Sequence, residues 1–155
     1  MSSLNSLAVA VEAASRKRDD ARKVLQDVLA AQQAAQAQLD QLQGYAGELQ
    51  ARWGARADTT MKPEVMYHHY QFMDRLGHAA GVQTTVVGDH AARVEKARRT
   101  LLDAELRLAS LRKVMEKRKA DLDLVQMRGD QKQTDERAAL QYRSAMEGSA
   151  GREYG

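Results

Sequence analysis

The sequence predicts an all-α protein, two long helices folded into an antiparallel coiled-coil hairpin with the second helix overhanging the first. Three observations predict it. Among 155 residues there are one Pro, one Phe and one Trp, while Ala, Gln, Leu, Arg and Lys fill most positions, which is the composition of long helices rather than of a globular core. Apolar residues recur at alternating steps of three and four along nearly the whole chain, the heptad signature of a left-handed coiled coil. Only one strong break interrupts them, between Gly54 and Pro63.

Helix 1 is predicted over about residues 3–56. Its seam reads Leu4, Leu7, Val11, Ala14, Arg18, Ala21, Leu25, Val28, Gln32, Ala35, Leu39, Leu42, Ala46, Leu49 and Trp53, with Arg18 and Gln32 the polar members. A turn follows over 57–62. Pro63 then opens helix 2, because the N–H it lacks would be unpaired in a first helical turn anyway. Helix 2 is predicted over about 63–145. Its seam runs Met66, His69, Met73, Leu76, Ala80, Gln83, Val87, His90, Val94, Ala97, Leu101, Ala104, Leu108, Leu111, Met115, Arg118, Leu122 and Val125. One antiparallel coiled coil over 1–147 and a frayed tail over 148–155, rich in Gly and Ser, complete the expected organisation.

A short break between heptad helices favours the hairpin. Layering Gln32 against Gln83 sets Leu39 by Leu76, Leu42 by Met73 and Leu49 by Met66. Two readings of the glutamines stay open: a polar layer that pins the register, or side chains that leave a weak layer for solvent. In this register helix 1 runs out at Leu4, opposite Leu111, while helix 2 continues for roughly 50 Å at its usual rise. Met115, Leu122 and Val125 continue the stripe with no helix to cover them, which suggests a partner, self-dimerisation or fraying. One flank is also unusual. Its g positions hold Ala31, Gln38 and Tyr45 from helix 1 and Val65, Phe72, Ala79 and Val86 from helix 2, where coiled coils ordinarily carry charge; in this register Tyr45 sits beside Phe72 and Gln38 beside Ala79. Either these residues broaden a thin core or they form a docking patch.

The same inventory argues against chemistry. No Cys is present, so disulfides and thiolate sites are excluded. The glycines stand singly in helical context, without a phosphate-binding loop. Of the four histidines, His68 and His69 are adjacent and no pair stands four apart, so none has zinc-motif spacing; His69 and His90 read as packed seam residues. No apolar run of membrane-spanning length occurs, and the first residues lack a secretory pattern. Net charge is +3 with 29% charged residues, and acids interleave the clusters Arg16-Lys17-Arg18, 93–99 and 112–119. A solvated face is the better reading there than a nucleic-acid site. The expectation is a soluble cytoplasmic protein, not an enzyme, with no cofactor and no metal.

Three stretches carry a resemblance. The first is Leu4…Leu7-Ala8, Glu12, Arg18-Asp19-Asp20-Ala21 and Leu25, then Gln38-Leu39…Leu42…Tyr45. The second is Tyr70-Gln71-Phe72…Leu76…Ala79, and the third is Asp130-Gln131-Lys132…Asp135-Glu136…Ala138. In this order and spacing the chain resembles the FliJ family, the small coiled-coil component of the bacterial flagellar type III export apparatus. The resemblance implies a monomer that acts as a stalk or adaptor between the export ATPase ring and the cytoplasmic domain of the export gate, and that escorts export chaperones. It implies a cytoplasmic location, peripheral at the inner face of the cell membrane through the apparatus. It places the gate-binding patch on Gln38, Leu42, Tyr45, Phe72, Leu76 and Ala79. The ATPase-ring contact falls on Met115, Leu122, Val125, Asp130, Gln131, Lys132, Asp135 and Glu136. Two other readings remain beside it, a structural coiled coil that dimerises in parallel and a basic helical nucleic-acid binder.

Overall fold

The computed structural model describes residues 2–55 and 62–153, and these form two helices, α1 (Ser2–Ala55) and α2 (Pro63–Glu153). The expected turn over 57–62 lies outside the described residues except for Lys62, as do residue 56 of helix 1 and residues 154–155 of the tail. Lys62 caps α2: its carbonyl accepts from the N–H groups of Val65 (3.1 Å) and Met66 (3.2 Å). Pro63 follows at the first helical position, and Glu64 sits in the first turn, where negative charge meets the positive helix end. Arg52 serves the opposite end of α1.

Two compact units divide the chain, Ala14–Arg107 and Met1–Ala13 with Leu108–Gly155. Within Ala14–Arg107 the helices run antiparallel. Phe72 meets Tyr45, Gln83 reaches Ala35 and Glu105 reaches Arg22, so the partner number falls on α1 as it rises on α2. The seam is the heptad one. Ala14, Ala21, Ala35 and Leu39 of α1 and Val94, Ala97 and Ala104 of α2 are buried, and the other α1 seam residues of this unit are half-buried. Alanine dominates the buried set, so the helices approach closely while each layer removes little apolar area from water. On α2 no residue before Val94 is buried. On α2 the buried residues of this unit, Val94, Ala97 and Ala104, lie away from Pro63, and nearer Pro63 its seam residues from His69 to His90 are half-buried.

The flank pairing that goes with the glutamine layering is present, Tyr45 on Phe72, but the seam side chains do not meet level with level. Gln83 donates through Nε2 to the Ala35 carbonyl (2.9 Å) and to Oε1 of Gln38 (3.2 Å), not to Gln32. Trp53 stacks on His69, where level pairing with Gln32 against Gln83 would have put Ala46. The cause is the lean of helical side chains toward their own N-terminus. In an antiparallel pair both partners lean away from each other's Cα level, so side chains that touch come from residues several positions further along.

In the second unit, Leu108 is only 2% exposed. Leu111 and Met115 are half-buried, as are Leu4, Leu7, Ala10 and Val11 of α1. From Glu116 to Ser149 every residue is exposed. This stretch of α2 is a helix with no α1 residue covering it, about 50 Å long at the usual rise. It runs on to Glu153, past the expected end near 145 and into the segment expected to fray. Gly148 and Gly151 weaken a helix by about 1 kcal/mol each but do not block its hydrogen bonds as Pro would.

Candidate docking surfaces

The first candidate surface lies on the g flank of the unit Ala14–Arg107. Heptad geometry brings g positions of antiparallel helices together, and Tyr45 and Phe72 meet there edge to face, with ring centroids 6.1 Å apart and planes at 89°. Both remain open to solvent, Tyr45 at 48% and Phe72 at 41%. Leu42 and Leu76 are half-buried seam residues beneath them, and Gln38 and Ala79 are exposed. Gln38 is oriented by the hydrogen bond from Gln83, and these two with Gln41 and Leu42 line a shallow groove of about 310 Å³. An aromatic pair beside a groove rimmed with amides suits a protein surface: the rings supply area, the amides supply direction.

The sequence reading took Trp53 and His69 as seam residues and Tyr70 as part of the resemblance, and gave neither these nor Tyr67 a place in a docking surface. The Trp53 indole stacks on the His69 ring, with centroids at 4.0 Å and planes 19° apart. Tyr67 and Tyr70 stand exposed on α2, and the Tyr67 hydroxyl accepts from Gln71 Nε2 at 2.9 Å. A signal was available, since Tyr45, Trp53, Tyr67, Tyr70 and Phe72 are all the aromatics of the chain except Tyr142 and Tyr154.

The second candidate surface is the uncovered part of α2. Met115 is half-buried, and Leu122, Val125, Asp130, Gln131, Lys132, Asp135 and Glu136 are exposed. With about 100° between successive residues, Met115, Leu122 and Val125 share one face. The heptad then passes through Gly129, Lys132 and Glu136, so the apolar stripe ends at Val125. Asp130, Gln131 and Asp135 point elsewhere. Leu124 and Met127, which a heptad reading screens out, are as exposed as the stripe; Val125 is 66% and Met127 69% accessible. Leu122 with Val125 and Leu124 with Met127 therefore form two apolar pairs on roughly opposite sides of the helix.

The electrostatics are those of a solvated surface. Arg18 pairs with its neighbour Asp19 (3.0 Å), Arg99 with Glu95 (3.6 Å), and Arg22 reaches across to Glu105 (3.9 Å). Such exposed pairs contribute little to stability. One buried side-chain polar atom among the described residues lacks a hydrogen bond, Nδ1 of His90 in the seam. Among the described residues no three His, Cys, Asp or Glu side chains gather as a metal site, and no helix is long and apolar enough to cross a membrane.

Fold and surfaces together define a coiled-coil protein whose distinctive features are exposed aromatic and aliphatic patches. The family model described as flagellar FliJ protein matches residues 3–147, and the chain belongs to that family. Membership gives it a flagellar, export-related role. Comparison with curated proteins gives no match.

Proposed function

We propose that the chain is the stalk and adaptor of the flagellar export apparatus. The uncovered part of α2 engages the export ATPase ring, and the flank of Gln38, Leu42, Tyr45, Phe72, Leu76 and Ala79 docks the cytoplasmic domain of the export gate. Export chaperones are escorted by the same protein, which performs no catalysis of its own and works in the cytoplasm at the inner face of the membrane. The observation that carries this reading is the distribution of Leu122, Leu124, Val125 and Met127 around α2. An apolar stripe on one face calls for one partner helix, whereas apolar pairs on two opposed faces call for a partner that holds the helix from both sides. Asp130, Lys132, Asp135 and Glu136 beyond them offer charged contacts to the same partner.

The test is stimulation of the purified flagellar ATPase by the full chain and by Val125→Asp with Met127→Asp. Both sites are exposed, so helicity and melting stay unchanged while stimulation falls at least about tenfold, as expected when anchors of an interface are lost. Undiminished stimulation by the double variant would place the ring contact elsewhere.

A further inference from the structure

The g flank changes character along the unit Ala14–Arg107. Beyond its aromatic part, two depressions lie between the helices and share Ala21 and Thr100. One, about 300 Å³, is lined by Ala21, Val24 and Val28 of α1 and Arg93, Lys96, Ala97 and Thr100 of α2. The other, about 240 Å³, is lined by Lys17, Ala21, Thr100, Asp103, Ala104 and Arg107. They form one straight groove from Val28 to Lys17, some three helical turns or about 16 Å long.

Its origin is in the sequence. Ala21, Ala97 and Ala104 are buried seam residues with too little bulk to fill the space between the backbones. Coiled coils usually cover such a floor with long g side chains; here Val24 and Thr100 occupy those places and leave it open, with Val24 53% exposed. The rim carries Lys17, Arg93, Lys96 and Arg107 against one acid, Asp103. None of these four cations has an ion-pair partner among the described residues, whereas the opposite flank closes on itself through Arg22 and Glu105.

We propose that this groove binds an acidic amphipathic helix of a partner protein as a third helix. Its aliphatic side chains, spaced i, i+3, i+4 and i+7, would enter the two depressions above Ala21, Ala97 and Ala104, and its carboxylates would meet the four cations. That arrangement completes a small three-helix bundle and satisfies both the uncovered apolar floor and the unpaired rim charge. The floor decides between partners. A bilayer takes apolar side chains that project beyond the cations, but here the apolar atoms lie beneath the charged rim, reachable only by a row of side chains. Nucleic acid would use the cations and leave the aliphatic floor wet. The inference stands independently of the ATPase-ring and gate contacts.

The experiment titrates the full chain with an acetylated, amidated peptide of roughly 18 residues, long enough to be helical, with Leu at i, i+3, i+4 and i+7 and Glu elsewhere. The readouts are calorimetry and amide chemical shifts. The expected result is saturable one-to-one binding, with shifts concentrated at Ala21, Val24, Val28, Ala97 and Thr100. Arg93→Glu with Lys96→Glu weakens it at least about tenfold, and so does Thr100→Trp, which fills the floor. Should the charge reversal disturb folding, Lys17→Gln with Arg107→Gln carries the same expectation. Equal binding of a scrambled peptide that disperses the leucines would overturn the proposal in favour of bare charge attraction. Shifts centred on Tyr45 and Phe72 would overturn it in favour of the aromatic part of the flank. Binding of phosphatidylglycerol vesicles without binding of the peptide would do so in favour of a membrane surface.

Discussion

Trp53 and His69 stack face to face with ring centroids 4.0 Å apart, joining the last described turn and a half of α1 to the second turn of α2. Flat aromatic contacts of this kind add about 0.5–1.5 kcal/mol beyond the area they bury. Here the contact matters more than its size suggests, because α2 has no buried residue before Val94. The connected ends of the helices are held by half-buried rings and by Gln83, not by a packed core.

Replacing Trp53 by Ala therefore loosens one half of the hairpin selectively. The expected cost is about 1–3 kcal/mol, below the range for a fully buried Trp because the ring is half-buried. Amide exchange should accelerate from 46 to 55 and from 63 to 80, while protection around Val94 to Leu108 is retained. Uniform loss of protection along both helices would show that the hairpin opens as one cooperative unit instead.

Gln83 specifies more than it stabilises. Its amide bonds Ala35 and Gln38 across the seam, and no shifted alignment places both acceptors there again. Gln83→Leu replaces these bonds with apolar area at a half-buried site, so the melting temperature is unchanged or higher. The single register should be lost, seen as doubled amide resonances or a dimer in sedimentation. Gln32→Leu should do neither, since Gln83 does not bond to it. A uniquely monomeric Gln83→Leu with one set of resonances would remove the register-pin role.

The seam was legible in the sequence because a heptad kept through many turns allows one buried face; every α1 position assigned to it from Leu4 to Trp53 is buried or half-buried. Pro63 as the start of α2 was equally legible, since its chemistry fits few other places. The contacts across the seam were legible in part: the register pairs Tyr45 with Phe72, as found, but not Gln83 with Ala35 and Gln38. A heptad pattern repeats itself every seven residues, and counting residues level with level omits the lean that brings Trp53 to His69. Nor were Leu124 and Met127 legible as surface features. A seven-residue period selects one face, and the pair Leu124 and Met127 lies on the face opposed to it.

The covered length of α2 sets where it can be cut. Met115 is half-buried and every residue from Glu116 to Ser149 is exposed, so truncation after Lys119 removes none of the packed residues described. The shortened chain should melt within a few degrees of the full one and should fail to stimulate the export ATPase. A truncation after Arg112 is predicted to differ, because it also deletes Met115 and costs about 1–2 kcal/mol for a half-buried aliphatic side chain. Equal melting of the two truncations would mean that Met115 packs on nothing in solution.

Phe72 separates folding from docking on the aromatic flank. It lies edge-on to Tyr45 and is 41% exposed, so Phe72→Ala removes a surface ring and leaves the half-buried Leu42 and Leu76 in place. The stability cost should be about 1 kcal/mol, the scale of one exposed aromatic pair, and helicity should hold. Gate binding should weaken by about 1–3 kcal/mol, a five- to 150-fold rise in Kd, as expected for a central aromatic anchor. Leu76→Ala gives the contrasting pattern, with a larger loss of stability because the seam is opened. Calorimetric titration of the gate's cytoplasmic domain, paired with a thermal melt of each variant, reads both quantities. If Phe72→Ala lowers the melt as far as Leu76→Ala while the gate still binds at its original affinity, the flank is core and the gate docks elsewhere.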